Sequence, residues 1–339
     1  MVPPIVLSFV ALKHASRIHR LQSAAGCDPE LRAGAMTTIV RTLTVIYLLV
    51  AWLLSPAAST ATAQEPAGTL KKVKDSGTFT IGYRETSLPL SYLDDKGQPI
   101  GFSLDLCHRV VEAVKAKIGS PDLKVAYNPV TSATRMPLVA NGTVDIECGS
   151  TANQLARQKQ VAFSVSIFVA QFKWIARVDA GVGAPQDLKG KTVIVTAGTN
   201  TAQFLNKMNN EENLGLNIMQ GKDHAESFLY VETGRASAFM EDDILLAGLK
   251  ANAKQPDLFK LLDRAYTADP YALMFRRDDP AFKALVDDAL VALMRSGEFE
   301  KLYAKWFESP IPPKGINLRF PPSDKLKALI KEPSDKANS

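Results

Sequence analysis

The sequence is poor in the residues that most metal and redox sites need. Its 339 residues include 3 Cys and 4 His. No CxxC, HExxH or other metal-ligand spacing occurs, which excludes a zinc site of the ordinary kinds. GxSxG is absent, no GxGxxG follows a strand, and GxxxxGK before Ser or Thr does not occur, so the nucleophile-elbow, dinucleotide and P-loop readings fall away. No enzyme motif and no cofactor is called for. Spanning a bilayer takes roughly 20 apolar residues; the run at 42–54 has 13, and no other segment could span. The charge excess of +5 is small. Residues 1–63 hold five basic and two acidic side chains, which leaves 35 basic against 33 acidic in the remainder. A nucleic-acid binder usually shows a basic stripe, so that class is excluded too.

What the N-terminus does have is an export pattern. Arg41 precedes the apolar run, a stretch rich in Ala, Ser and Thr follows, and Ala61-Thr62-Ala63 stands ahead of Gln64. A positive residue, a short apolar core and small residues at a cleavage point make a secretory signal. Residues 1–63 are therefore read as leader and signal, with Met36 as an alternative start. No Cys lies at the cleavage site, so no lipid anchor is expected there. Cys27 leaves with the leader. The remaining pair, Cys107 and Cys148, permits one disulfide in an exported protein. Yet Cys107 sits among Leu104, Leu106 and Val110, and Cys148 ends an apolar strand, which favours two buried free thiols.

After a polar linker, strand and helix patterns alternate. Strands are expected at 78–83, 123–127 and 144–148, with helices at 105–118 and 135–140; Asn141-Gly142 closes the second helix. The pattern restarts near 178. It gives strands at 192–196, 217–219 and 238–240 and helices at 201–209, 224–233 and 243–251. A strand at 271–275 and helices at 280–296 and 298–307 follow. Such βαβ alternation predicts an α/β fold of two units, each a parallel sheet flanked by helices. The Pro- and Lys-rich tail from Ser309 is expected to wrap the surface.

Open α/β sheets bind ligands at the carboxyl ends of their strands. In the first unit those ends carry Arg84, then Ser132 and Arg135, then Ser150 with Arg157 one helical turn on. In the second they carry Thr199, His224 and Asp242 beside Glu241 and Asp243. Taken singly, the hydroxyls read as helix N-caps and the charges as surface residues. Three Arg at three consecutive strand ends read otherwise, because guanidinium forks match carboxylates. The set points to an anionic ligand, with an acid across the cleft for an ammonium group.

Longer motifs carry a resemblance. They are Gly82-Tyr83-Arg84-Glu85-Thr86-Ser87, Asn141-Gly142-Thr143-Val144-Asp145 leading to Glu147-Cys148-Gly149-Ser150-Thr151, and Arg157-Gln158-Lys159-Gln160 before Phe163-Ser164. Lys222-Asp223-His224, Phe239-Met240-Glu241-Asp242-Asp243 and Lys305-Trp306-Phe307 before Pro310-Ile311-Pro312-Pro313 complete them. From 68 to about 336 the chain resembles the periplasmic solute-binding proteins of polar amino-acid ABC transporters (family 3), above all those for glutamate and aspartate. The resemblance implies a two-lobed periplasmic binding protein type II fold, with lobe 1 at 64–175 and 271–339 and lobe 2 inserted at 176–270. Two hinge crossings, 173–178 and 271–277, would join them. It implies a monomer in the periplasm that captures an acidic L-amino acid and delivers it to a membrane permease. By position Arg157 would hold the ligand α-carboxylate, and Asp242 with Ser150 the amino end. Arg84, Ser132, Arg135 and His224 would surround the side-chain carboxylate, with Thr199 in the same set. Ala152 and Asn200 depart from the hydroxyl residues usual near the α-carboxylate. Rivals on the same fold are a glutamine or asparagine binder and a periplasmic dehydratase.

Overall fold

A computed structural model describes residues 68–338. The signal, its cleavage point and Cys27 lie outside the described residues. Helix α1 (Gly68–Ser76) leads into a five-stranded sheet in the order β5 (Lys124–Pro129), β1 (Thr78–Tyr83), β6 (Ile146–Glu147), β15 (Met274–Arg276), β7 (Val161–Phe163). β1 is parallel to β5 and β6. β2 (Thr86–Ser87), β3 (Ser91–Leu93) and β4 (Pro99–Ile100) form a small sheet beside it. Over the main sheet pack α2 (Phe102–Ile118), α8 (Pro280–Ser296) and α9 (Glu298–Phe307). Phe102 meets Phe299 and Phe307 edge-on, and Phe168 stacks on Phe307 at 5.2 Å. These aromatics weld the chain's return to the sheet where it began. Two short helices, α3 (Arg135–Ala140) and α4 (Leu155–Gln158), carry Arg135 and Arg157.

The second sheet runs β11 (Asn217–Gly221), β10 (Thr192–Thr196), β12 (Ala238–Asp242), β9 (Phe172–Arg177), β13 (Phe259–Leu261). Alternation along β10 decides its layers, because successive side chains face opposite sides of a sheet. Val193 and Val195 share a cluster with Leu205 and Met208 of α5 (Asn200–Glu211). Ile194 joins Phe228 and Val231 of α6 (His224–Glu232) and Leu246 of α7 (Asp243–Asn252) on the other face. Between the two sheets runs a ribbon of β8 (Phe168–Ala170) antiparallel to β14 (Asp269–Tyr271).

Four expectations need correction. Both sheets are mixed rather than parallel: β15 runs against β6 and β7, and β9 against β12 and β13. The chain leaves one sheet and re-enters the other through the ribbon, which reverses the strand that arrives. The expected crossings are displaced for the same reason: β9 belongs to the second sheet and β15 to the first, while β8 and β14 lie between. Cys107 and Cys148 form a disulfide, with Cα atoms 6.3 Å apart. Burial of both sulfurs did not separate thiols from a bridge; α2 lies close enough over the end of β6 for the span a disulfide makes. Lastly, the tail holds a helix, α10 (Asp324–Lys331), capped by Ser323 and anchored by buried Leu326.

Candidate ligand-binding cleft

The carboxyl ends of β1, β5 and β6 face those of β10, β11 and β12, and the side chains named from the sequence converge between them. Arg84 follows β1, Ser132 and Arg135 follow β5, and Ser150 follows β6; all four are buried. From the other side come His224 at the first position of α6 and Asp242 at the end of β12, both buried. The two sides touch. Arg84 Nη2 lies 3.2 Å from His224 Nε2. Gly198, at φ +76°, approaches the opposite loop so closely that a Cβ there would lie 2.7 Å from the Ala133 Cα.

Arg135 and Arg157 are held by backbone and hydroxyl oxygens. Arg135 Nη1 donates to the Ser150 carbonyl at 3.0 Å and to Thr151 Oγ1 at 2.5 Å, and Thr151 donates onward to Glu147 Oε2 at 2.6 Å. Arg157 Nη1 donates to the Ala152 carbonyl at 3.0 Å. Burial, then repulsion from Arg135, lowers the pKa of Arg84 to about 10 and that of Arg157 to about 9. Both remain cations at neutral pH. Desolvated guanidinium groups this close together call for an anion.

His224 sits in a directional chain. A guanidinium has no acceptor, so Nε2 accepts from Arg84 and Nδ1 carries the proton, which it donates to Thr196 Oγ1 at 3.0 Å. Thr196 in turn lies 3.0 Å from Ser227 Oγ, which donates to the Asp223 carbonyl at 2.9 Å. Glu241 Oε2 flanks Nδ1 at 3.2 Å. Burial lowers the imidazole pKa; Glu241 works against that shift, while Arg84 and Arg135 add to it. The geometry fits a neutral ring. Here Nε2 is committed to Arg84 rather than free to donate to a carboxylate.

Asp242 is the counterpart. Tyr271 Oη donates to its Oδ2. Burial, and next the neighbouring charge of Glu241, raise its pKa well above the usual carboxylate range. A group so placed gains from an incoming cation.

Several buried atoms here have no hydrogen-bond partner within the protein. Arg84 Nη1, Arg135 Nε and Ser132 Oγ can donate, and Asp242 Oδ1, Glu147 Oε1 and Glu241 Oε2 can accept. Buried polar groups are nearly always paired, so this set stands out. Ser132 is not the N-cap of α3, which Thr134 occupies. Ser150 Oγ donates to Ser87 Oγ at 3.2 Å. Thr199 does cap α5: its hydroxyl accepts from Ala202 N at 3.1 Å and donates to the Thr196 carbonyl at 2.7 Å. Its side chain is committed to the helix. Among the described residues no group of His, Cys, Asp and Glu is arranged to hold a metal ion.

Residues 79–309 match the family described as bacterial extracellular solute-binding proteins, family 3. The chain belongs to that family. It is 52% identical over 276 residues to the L-glutamate/L-aspartate-binding protein of Pseudomonas aeruginosa, covering 81% of this chain and 91% of that one. It is 46% identical over 275 residues to the glutamate/aspartate import solute-binding protein of Escherichia coli, again covering 81% and 91%. Among solved structures, the cysteine-binding protein from Campylobacter jejuni superposes with a TM-score of 0.64 at 24% identity, over 77% of this chain and 98% of that one. That likeness shows the two-lobed type II fold.

Residues of this family 3 protein that sequence reasoning left without a role also line the cleft. Tyr271 reaches Asp242 from the ribbon, and Thr151 links Arg135 to Glu147. Asn200, which the sequence reading placed near the α-carboxylate, donates to Asp269 Oδ2 at 3.0 Å and ties α5 to the ribbon. The one available signal was Glu147: an acid inside a buried strand of an otherwise apolar run must have a partner.

Proposed function

We propose that this chain is the substrate-binding component of an ABC importer, a non-enzymatic protein that captures L-glutamate or L-aspartate in the periplasm and delivers it to a membrane permease. The observation that carries this reading is the sorting of unpaired buried atoms. Donors lie on the first-lobe side, at Arg84, Ser132 and Arg135, beside one carboxylate oxygen of Glu147, and carboxylate oxygens of Asp242 and Glu241 come from the other side. An acidic amino acid presents two carboxylates, which suit those donors, and one ammonium, which suits Asp242. Arg157 holds the α-carboxylate, Asp242 the ammonium with Ser150 near it, and Arg84, Arg135 and Ser132 the side-chain carboxylate. His224 acts by orienting Arg84 through Nε2. Thr199 serves the site by fixing the start of α5. The names of the two relatives above, at 52% and 46% identity, support the same ligand class.

In this reading the second sheet and its helices, from β9 to β13, form the moving lobe, the main sheet and its helices form the other, and Gln64 is the first residue after signal cleavage. A thermal-shift screen of the exported protein against the twenty common amino acids tests the ligand class. At about 100 Kd, glutamate or aspartate should raise the Tm by about 5 °C or more. A shift with glutamine or a basic amino acid and none with either acid would overturn the assignment.

A further inference from the structure

We propose that Gly248 is a positioning residue for ligand capture: by lacking a side chain it lets the two lobes close to the distance at which Arg84 and Asp242 serve one ligand. The inference rests on the reading of the cleft as a ligand site. Gly248 lies inside α7, a ten-residue helix, and is buried. Glycine is the poorest helix former after proline. The local backbone does not require it, since Gly248 is absent from the residues with positive φ.

Space across the seam does require it. A Cβ at Gly248 would fall on the Leu88 carbonyl oxygen, with Leu88 Cδ2 2.8 Å and the carbonyl carbon 3.1 Å away. The three nearest atoms thus all belong to Leu88, which lies between β2 and β3 in the other lobe. That backbone has little freedom to yield. Leu90 N donates to the Ser87 carbonyl at 2.8 Å, and the Pro89 carbonyl accepts from Phe102 N at 2.9 Å. The seam continues at the end of the same helix, where Lys314 Nζ donates to the Asn252 carbonyl at 2.6 Å. Gly198 makes the other close approach, but its φ of +76° requires glycine for reasons of conformation as well. Gly248 alone separates the two causes.

The helix therefore carries a residue that weakens it and that only closure explains. Gly248→Ala should move two quantities in opposite directions. The Tm of the ligand-free protein should rise by about 2 °C, from the better helix former. Affinity for glutamate or aspartate should fall about tenfold or more, chiefly through faster release. Small-angle scattering at saturating ligand should show less compaction than in the unmodified protein. Unchanged affinity, a fall in both Tm and affinity, or failure to fold would each overturn the proposal. The titration is run with the twenty common amino acids. If the unmodified protein binds none of the acidic ones, the ligand assignment fails, and Gly248 is then judged on whichever amino acid does bind.

Discussion

The two lobes bring opposite chemistry to the same gap. The first supplies three guanidinium groups: those of Arg135 and Arg157 are held by carbonyl and hydroxyl acceptors, and that of Arg84 meets His224. The second supplies the Asp242 carboxylate and a neutral imidazole whose proton points away, toward Thr196. On the proposed reading the first lobe meets the carboxylates and Asp242 meets the ammonium. Arg84 and Asp242 each keep a buried atom with no hydrogen-bond partner in the protein, as do Ser132, Arg135, Glu147 and Glu241 around them. The lobes differ in bracing as well, since a disulfide ties α2 to the end of β6 in the first lobe.

The hardest way to break this comparison is to remove a cation from the first lobe. Losing one partner of a buried charge pair costs about 2–5 kcal/mol. Arg84→Ala should therefore abolish tight binding of acidic amino acids. Arg157→Ala should weaken every amino acid alike, because the α-carboxylate is common to all; calorimetry of both variants against glutamate and glutamine checks the distinction. Next in size is the bracing. The bridge closes a separation of 41 residues, for which loop entropy gives about 4 kcal/mol. Cys107→Ser with Cys148→Ser should lower the denaturation midpoint by a corresponding amount, and a transition unmoved by reductant would contradict the bridge.

Asp242 sharpens the contrast through pH. Its folded pKa is raised, so its contribution to stability is full below the unfolded value of about 3.9 and is lost as pH rises through the folded value. At neutral pH the ionised group is a cost to the ligand-free protein. Asp242→Asn should then raise the Tm without ligand while removing tight binding. Since ammonium favours the carboxylate form, affinity should fall as pH drops through the ligand-free pKa. Calorimetry in buffers of differing ionisation enthalpy should show protons released on binding, whereas uptake would return the role to His224. The smallest effect is expected from Asn200→Ala. It removes one hydrogen bond to Asp269, worth about 1 kcal/mol, while Asn338 still donates to the other oxygen at 2.7 Å.

What the sequence made legible follows from what is local. β1, β10, α3 and α8 were readable from periodicity and turn residues, as were the strand ends that carry Arg84, Arg135, His224 and Asp242. Strand direction was not, because β15 read as an ordinary strand and β9 as a crossing, and only the path through the ribbon reverses them. The cysteine pairing failed for a similar reason: distance across a fold leaves no mark on burial. Leu326, Leu329 and Ile330 have helical spacing in the tail, but its prolines and lysines outweighed it. Thr151 and Tyr271 carry no local signal. Their roles come from where Arg135 and Asp242 happen to lie.

The central claim is that first-lobe cations read the charge of the ligand's side chain. Isothermal titration of the unmodified protein with glutamate and with glutamine, which differ in that charge and little in shape, tests it directly. An amide would leave buried guanidinium donors poorly paired, a loss of about 2 kcal/mol or more. Glutamate should therefore bind at least about 30-fold more tightly. Equal affinity for the two would contradict the account.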